Sequence, residues 1–154
     1  MTMNRRDFAM LMAAALPASV LLRSRAARAA EAIPVTLYKN PSCTCCEGYA
    51  QYLDQNGFEV DVRPTNDLAA ISRRAGIPSD LEGCHTSFIG DYVVDGHVPV
   101  ETIRKLLDTK PALAGITLPG MPAGSPGMVG EKTEKFTIYA ISRDGTPPRV
   151  FDIV

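Results

Sequence analysis

Three of the four cysteines fall within one short segment, Cys43-Thr44-Cys45-Cys46, placed directly after a strand-like Val35-Thr36-Leu37-Tyr38-Lys39 run and at the opening of a helical stretch. The placement restricts the fold, because a strand, a tight turn and a helix N-terminus must meet around reactive sulfur. Unpaired backbone N–H groups and the positive end of the helix dipole lower the pKa of thiols there, which makes them better nucleophiles and metal ligands. Asn40-Pro41-Ser42 is the turn that delivers them.

Local patterns order the rest of the chain. A helix is expected from about Cys45 to Gln55, stopped by Asn56-Gly57, whose residues tolerate the left-handed conformation. Phe58 to Arg63 alternates apolar and charged residues, as a strand with one buried face does. Asn66 or Asp67 can cap a second helix through Leu68, Ile71 and Ala75, ended by Gly76 and Pro78. Strands follow at about Thr86 to Ile89 and at Tyr92-Val93-Val94, with Asp95-Gly96 as a hairpin-type turn signal before His97-Val98. Pro99 suits the first turn of a third helix, which carries Val100, Ile103, Leu106 and Leu107 on one face. This order is that of an α/β, thioredoxin-like fold, a mixed sheet flanked by helices with its first two strands parallel. Past Lys110 a Met/Gly/Pro-rich loop, Pro119 to Met128, has no period, and a β-hairpin closes the chain from Phe136-Thr137-Ile138-Tyr139 to Val150-Phe151-Asp152-Ile153.

The N-terminus reads as an address. Arg5-Arg6-Asp7-Phe8 precedes an Ala/Leu-rich run ending at Ala27-Arg28-Ala29, the pattern of a twin-arginine signal cleaved near Ala29. The apolar run, Phe8 to Leu22, is short of the roughly 20 residues that span a bilayer, so no stable membrane span is expected. The expected organisation is thus a signal at 1–29, a thioredoxin-like core at 30–110, and a C-terminal loop and hairpin at 111–154 packed on the same domain. Removing 1–29 takes five arginines and one aspartate and leaves 11 basic and 16 acidic side chains, net −5. That balance excludes a basic nucleic-acid footprint.

Export to an oxidising space ordinarily favours disulfides. Adjacent Cys45 and Cys46 pair only through a strained link, and pairing all four thiols requires Cys84 to accept a clustered partner. Cys43 and Cys46 have C-x-x-C spacing, so Cys43 could attack and Cys46 resolve as a thiol–disulfide oxidoreductase. Cys45 has no use in that scheme. Metal binding gives it one, because neighbouring helical side chains diverge by about 100° and can reach different ions of one site. Copper(I) and zinc both accept thiolates, and thioether donors favour copper(I). Met121 and Met128, the two methionines outside the leader, both sit in the Gly/Pro-rich loop. Cys84-His85 adds a thiol and an imidazole where a thioredoxin-like domain lays a loop against its dithiol. The plainer readings are a buried inert Cys84, a His85 that ends a strand, a turn-end His97 and gap-filling methionines. A zinc-stapled or disulfide-stapled structural domain is the remaining alternative.

These segments together resemble the CopG-type copper-resistance family of exported, thioredoxin-like metal-binding proteins. The resemblance rests on the Val35 to Lys39 strand, Cys43-Thr44-Cys45-Cys46, Gly83-Cys84-His85-Thr86, Tyr92 to Pro99 and Leu118 to Met128, and it covers nearly all of the chain beyond the leader. It implies copper handling in the periplasm, with cysteines bridging several copper(I) ions, zinc being the weaker candidate. It carries Cys43, Cys45, Cys46 and Cys84 over as metal ligands, and His85, His97, Met121 and Met128 as completing donors. Copper redox activity, and partnership with other periplasmic copper-resistance proteins, would accompany that role. Thr44 stands where related chains often have glycine, and it removes no donor atom. Four thiolates carry charge that four copper(I) ions would neutralise, which avoids the cost of buried charge. Because the export receptor reads the two arginines together, Arg5→Lys with Arg6→Lys is expected to retain the precursor inside the cell, measured by fractionation; normal export of the double variant would remove the assignment.

Overall fold

Residues 32–154 are described by the computed structural model, so the expected leader and its expected cleavage position lie outside the described residues. Strand β1 (Ile33–Lys39) buries Val35, Leu37 and Lys39 at every second position, the period of a pleated strand. Helix α1 (Thr44–Gln55) buries Cys46, Tyr49, Ala50 and Leu53, spaced three, one and three residues apart along one face. It ends at Asn56, and Gly57 takes a left-handed φ of 86°, as its sequence signal requires. The chain then adds β2 (Phe58–Pro64), α2 (Leu68–Arg74), β3 (His85–Ile89), β4 (Tyr92–Asp95) and α3 (Val100–Thr109). Strands β5 (Gly115–Thr117), β6 (Thr137–Ile141) and β7 (Arg149–Ile153) complete it.

All seven strands form one mixed sheet in the order β2-β1-β3-β4-β5-β6-β7. Strands β1 and β2 are parallel, and β3 returns antiparallel to both β1 and β4. Tyr49, Leu53, Ile103 and Leu106 from α1 and α3 pack with Leu37, Ile89 and Val94 into the main core on one face. Ile77, Val93 and Ile141 form a smaller cluster with Ala75 and Phe88. Neighbours Val93 and Val94 belong to different clusters, as the alternation of side chains across a sheet demands. The α/β class and the flanked mixed sheet agree with the sequence expectation. Among the described residues no helix is long and apolar enough to cross a membrane.

Three local expectations change. The hairpin between β3 and β4 turns at Gly90-Asp91, whereas Asp95-Gly96 leads on towards α3; the Asp-Gly signal reports a positive φ, here 73° at Gly96, and not the direction of the chain after it. Asp67 stands at the N-cap of α2 without a side-chain capping bond, and its own N–H donates to Thr65 Oγ1 at 3.0 Å. The stretch before the Gly/Pro-rich loop is not all loop, because β5 pairs parallel to β4 and antiparallel to β6.

Strand β5 is what attaches the closing hairpin to the rest of the sheet. It can do so only with glycine at its start, since a Cβ on Gly115 would collide with the Val93 carbonyl oxygen. Gly115→Ala is therefore expected to lower stability by about 2 kcal/mol, the range for overpacking against backbone, read as a fall in urea midpoint. An unchanged midpoint would show that β5 pairing contributes little.

Candidate metal centre

The turn into α1 fixes the first sulfur. Asn40 Oδ1 accepts from the Ser42 N–H at 3.0 Å and from the Ser42 hydroxyl at 2.7 Å, while the Cys43 N–H donates to the Asn40 carbonyl at 3.0 Å. Cys43 occupies the N-cap position in an extended conformation, which puts Cys45 and Cys46 in the first turn of α1. Cys43 and Cys46 form a disulfide with Cα atoms 5.7 Å apart, and Cys45 and Cys84 are free thiols. Cys45 Sγ lies 3.3 Å from Cys43 Sγ, and Cys84 Sγ lies 3.5 Å from Cys46 Sγ and 3.8 Å from Cys45 Sγ. All four sulfurs fall within 4.8 Å of one another.

Cys84 reaches the helix because its loop is pressed onto the end of β4. A Cβ on Gly83 would collide with the backbone of Gly96, and one on Gly96 would collide with the Leu118 carbonyl. Two glycines thus allow three backbone segments to stack. The buried Asp95 carboxylate accepts from the Gly83 N–H through Oδ1 and from the Thr86 hydroxyl at 2.8 Å through Oδ2. Burial pushes this carboxyl up to about 6, against the lowering effect of those two donors.

The histidines complete the ring of donors. His97 Nδ1 lies 2.6 Å from the Pro126 carbonyl oxygen, which can only accept, so this nitrogen carries the proton. Nε2 is then left with its lone pair directed at Cys84 Sγ, 3.1 Å away. His85 Nδ1 lies 3.5 Å from the same sulfur, and its buried Nε2 has no hydrogen-bond partner. Tyr49 packs its ring against both imidazoles, with centroids 4.5 Å from His85 and 5.1 Å from His97. Its hydroxyl donates to the Val98 carbonyl at 2.8 Å, and the Val100 N–H donates to the Tyr52 hydroxyl at 2.9 Å, so two α1 tyrosines hold the segment that carries His97.

Six of the eight residues singled out from sequence, Cys43, Cys45, Cys46, Cys84, His85 and His97, form two overlapping groups that share Cys84. The Gly/Pro-rich loop reaches the same place: Gly127 packs against the backbone of Gly48 and Tyr49, next to the Pro126 contact with His97. Met128 follows it, half-buried, whereas Met121 is 41 % exposed with a left-handed φ of 46°. Sequence reasoning passed over Asp95, Tyr49, Lys39 and the Pro126 carbonyl. Tyr49 left a trace, standing one helical turn after Cys46.

The donor set is soft and largely uncharged. Burial, with Cys45 beside it, pushes the Cys84 thiol up to about 12, so it keeps its proton at neutral pH, and a thiophilic cation would have to displace that proton to bind there. Burial lowers His97 and lowers His85 to about 3, the nearby His97 adding to the effect, so both imidazoles are neutral and able to ligate. Between about pH 6.5, the unfolded value, and about 3, the unfolded chain binds the extra proton at His85. His85 therefore withdraws stability as pH falls through that window, whereas Asp95, raised above its unfolded value, adds stability on acidification from about 6. His85→Gln is expected to lose less stability than the parent between about pH 7 and about pH 5, measured by urea unfolding, with Asp95 common to both chains. An equal fall would remove His85 from this balance.

A family model described as a protein of unknown function, DUF411, matches residues 81–128, which contain Cys84, His85, His97 and the Gly/Pro-rich loop. No curated protein matches the chain. Among solved structures, the chain is similar to one described as copper resistance protein CopG, form 2, at 33 % identity and a TM-score of 0.74, over 80 % of this chain and 99 % of the other. Form 1 of the same protein gives 33 % identity and a TM-score of 0.73, over 80 % and 98 %. With nearly the whole of that structure matched at this identity, the chain belongs to the CopG family of copper-resistance proteins.

Proposed function

We propose that this protein is a periplasmic copper-binding protein of copper resistance, exported by the twin-arginine route and holding several copper(I) ions in a thiolate-bridged site. The supporting observation is the meeting of four sulfurs from two distant segments, with Cys45 and Cys84 both within reach of the Cys43/Cys46 pair. A site for a single ion does not call for four sulfurs and two imidazoles together; bridging sulfurs do. Cys43, Cys45, Cys46 and Cys84 supply the bridges, and His85 and His97 supply neutral nitrogen at the Cys84 end. Met128, and Met121 after movement of its loop, add thioethers. The CopG name of the matched structures supports copper as the ion.

The Cys43–Cys46 disulfide supports a second capacity. Two donors are consumed when it forms, so oxidation closes the thiolate site and reduction opens it. The same pair could serve thiol–disulfide exchange with other proteins, an activity that Cys45 does not assist.

Cys45→Ser separates these readings. A copper(I) site bridged by Cys45 is expected to lose at least half of its copper after anaerobic loading and desalting, counted by metal analysis with the copper to zinc ratio. A dithiol oxidoreductase keeps its insulin-reduction rate in the same variant. Full copper with Cys45→Ser would overturn the bridged site.

A further inference from the structure

The two histidines of the centre are held from outside their own segments. His85 Nε2 has no hydrogen-bond partner, so on that side packing fixes the plane of the ring. His97 is bonded at Nδ1 by a carbonyl from the distant Gly/Pro-rich loop. Tyr49, one helical turn after Cys46 and with no exposed surface, touches both. Its ring is tilted at 35° to His85 with centroids 4.5 Å apart, and at 65° to His97 with centroids 5.1 Å apart. The two imidazoles meet edge to face at 4.9 Å. In this close-packed trio, rotation of either imidazole presses on Tyr49.

The hydroxyl adds a second restraint. A carbonyl oxygen only accepts, so the Tyr49 O–H donates to Val98, the residue after His97, at 2.8 Å. The N–H of Val100, the first residue of α3, donates to the Tyr52 hydroxyl at 2.9 Å. Pro99 between them has no N–H, so the two tyrosines take the backbone groups on either side of it. Tyr49 and Tyr52 stack with centroids 6.0 Å apart at 28°, which makes this clasp a rigid part of α1. The helix that carries Cys45 and Cys46 therefore also sets the position of His97. We propose that Tyr49 is a positioning residue of the metal centre: its ring fixes the planes of His85 and His97, and its hydroxyl fixes the segment that carries His97, so that one nitrogen of each imidazole meets Cys84. Those nitrogens lie 3.5 Å and 3.1 Å from Cys84 Sγ. That the two nitrogens then bind copper(I) rests on the proposed function; the positioning does not.

The chain has two histidines, so isotopic labelling of histidine nitrogen gives a nuclear magnetic resonance spectrum of these two rings alone. In the metal-free, disulfide-bonded protein the parent is expected to show a slowly exchanging Nδ1–H on His97. Tyr49→Phe keeps the ring and loses the hydroxyl, and is expected to speed that exchange about tenfold with the His85 signals unmoved. Tyr49→Leu loses both restraints and is expected to broaden the His85 ring signals as well. Gly115→Ala, which weakens the sheet at β5, is the control for general destabilisation and is expected to leave both rings as in the parent. Copper(I) is diamagnetic and leaves these signals visible. On loading, the copper-induced shift at His97 Nε2 is expected to fall by about half in Tyr49→Phe, and the shifts at both rings to disappear in Tyr49→Leu, while the thiolates retain the copper. Parent-like exchange in Tyr49→Phe, or an equal change in Gly115→Ala, overturns the proposal. If Tyr49→Leu does not fold, Tyr49→Phe decides alone. A parent that takes up no copper(I) refutes the proposed function and leaves the metal-free spectra to judge Tyr49.

Discussion

Everything at the centre depends on the stacking of three backbone segments at Gly83, Gly96 and Leu118, held by the Gly83 N–H on the Asp95 carboxylate. A side chain at either glycine would push the Cys84 loop away from α1. The contact also explains the buried carboxylate, whose desolvation is offset by donors from Gly83 and Thr86. The Ser72 hydroxyl donates to Thr86 at 2.8 Å in turn, so α2, β3 and β4 are tied to the loop that carries one sulfur.

From the opposite side, α1 brings the remaining sulfurs and two tyrosines. Tyr49 joins the imidazoles to the main core, and the Pro126 carbonyl sets the tautomer of His97. The outcome is a group of neutral, soft donors at the end of a sheet, with buried charge confined to Asp95 and to Lys39, which Glu47 compensates. Such a site is shielded from water on the His85 side and ends in half-exposed sulfur on the Cys43 and Cys45 side. Cations would approach from that second side.

The parts of this arrangement that were legible in the sequence are those written locally. The β-branched run of β1, the alternation of β2, the apolar face of α3, the Asn56-Gly57 stop and the closing hairpin follow from residues that are neighbours in the chain. The clustered cysteines announced themselves by their spacing and Cys84-His85 by its place in the order of elements, and the family resemblance then carried these and His97 over as metal donors. Strand β5 has three residues, too few for any period, and is defined by its neighbours β4 and β6. The Asp95 bond to Gly83 spans twelve residues and the Pro126 bond to His97 spans 29, so neither leaves a local trace. Lys39 occupied an inward strand position in plain view, but its burial depends on a turn that folds two carbonyls back over it.

In the proposed site, sulfurs from the two segments bridge several copper(I) ions. X-ray absorption at the copper edge of the anaerobically loaded, reduced protein tests it most directly. A bridged site is expected to give a first shell dominated by sulfur with a minority of nitrogen, and a second shell of copper scatterers from neighbouring ions sharing thiolates. A first shell of nitrogen and oxygen without copper scatterers would contradict it.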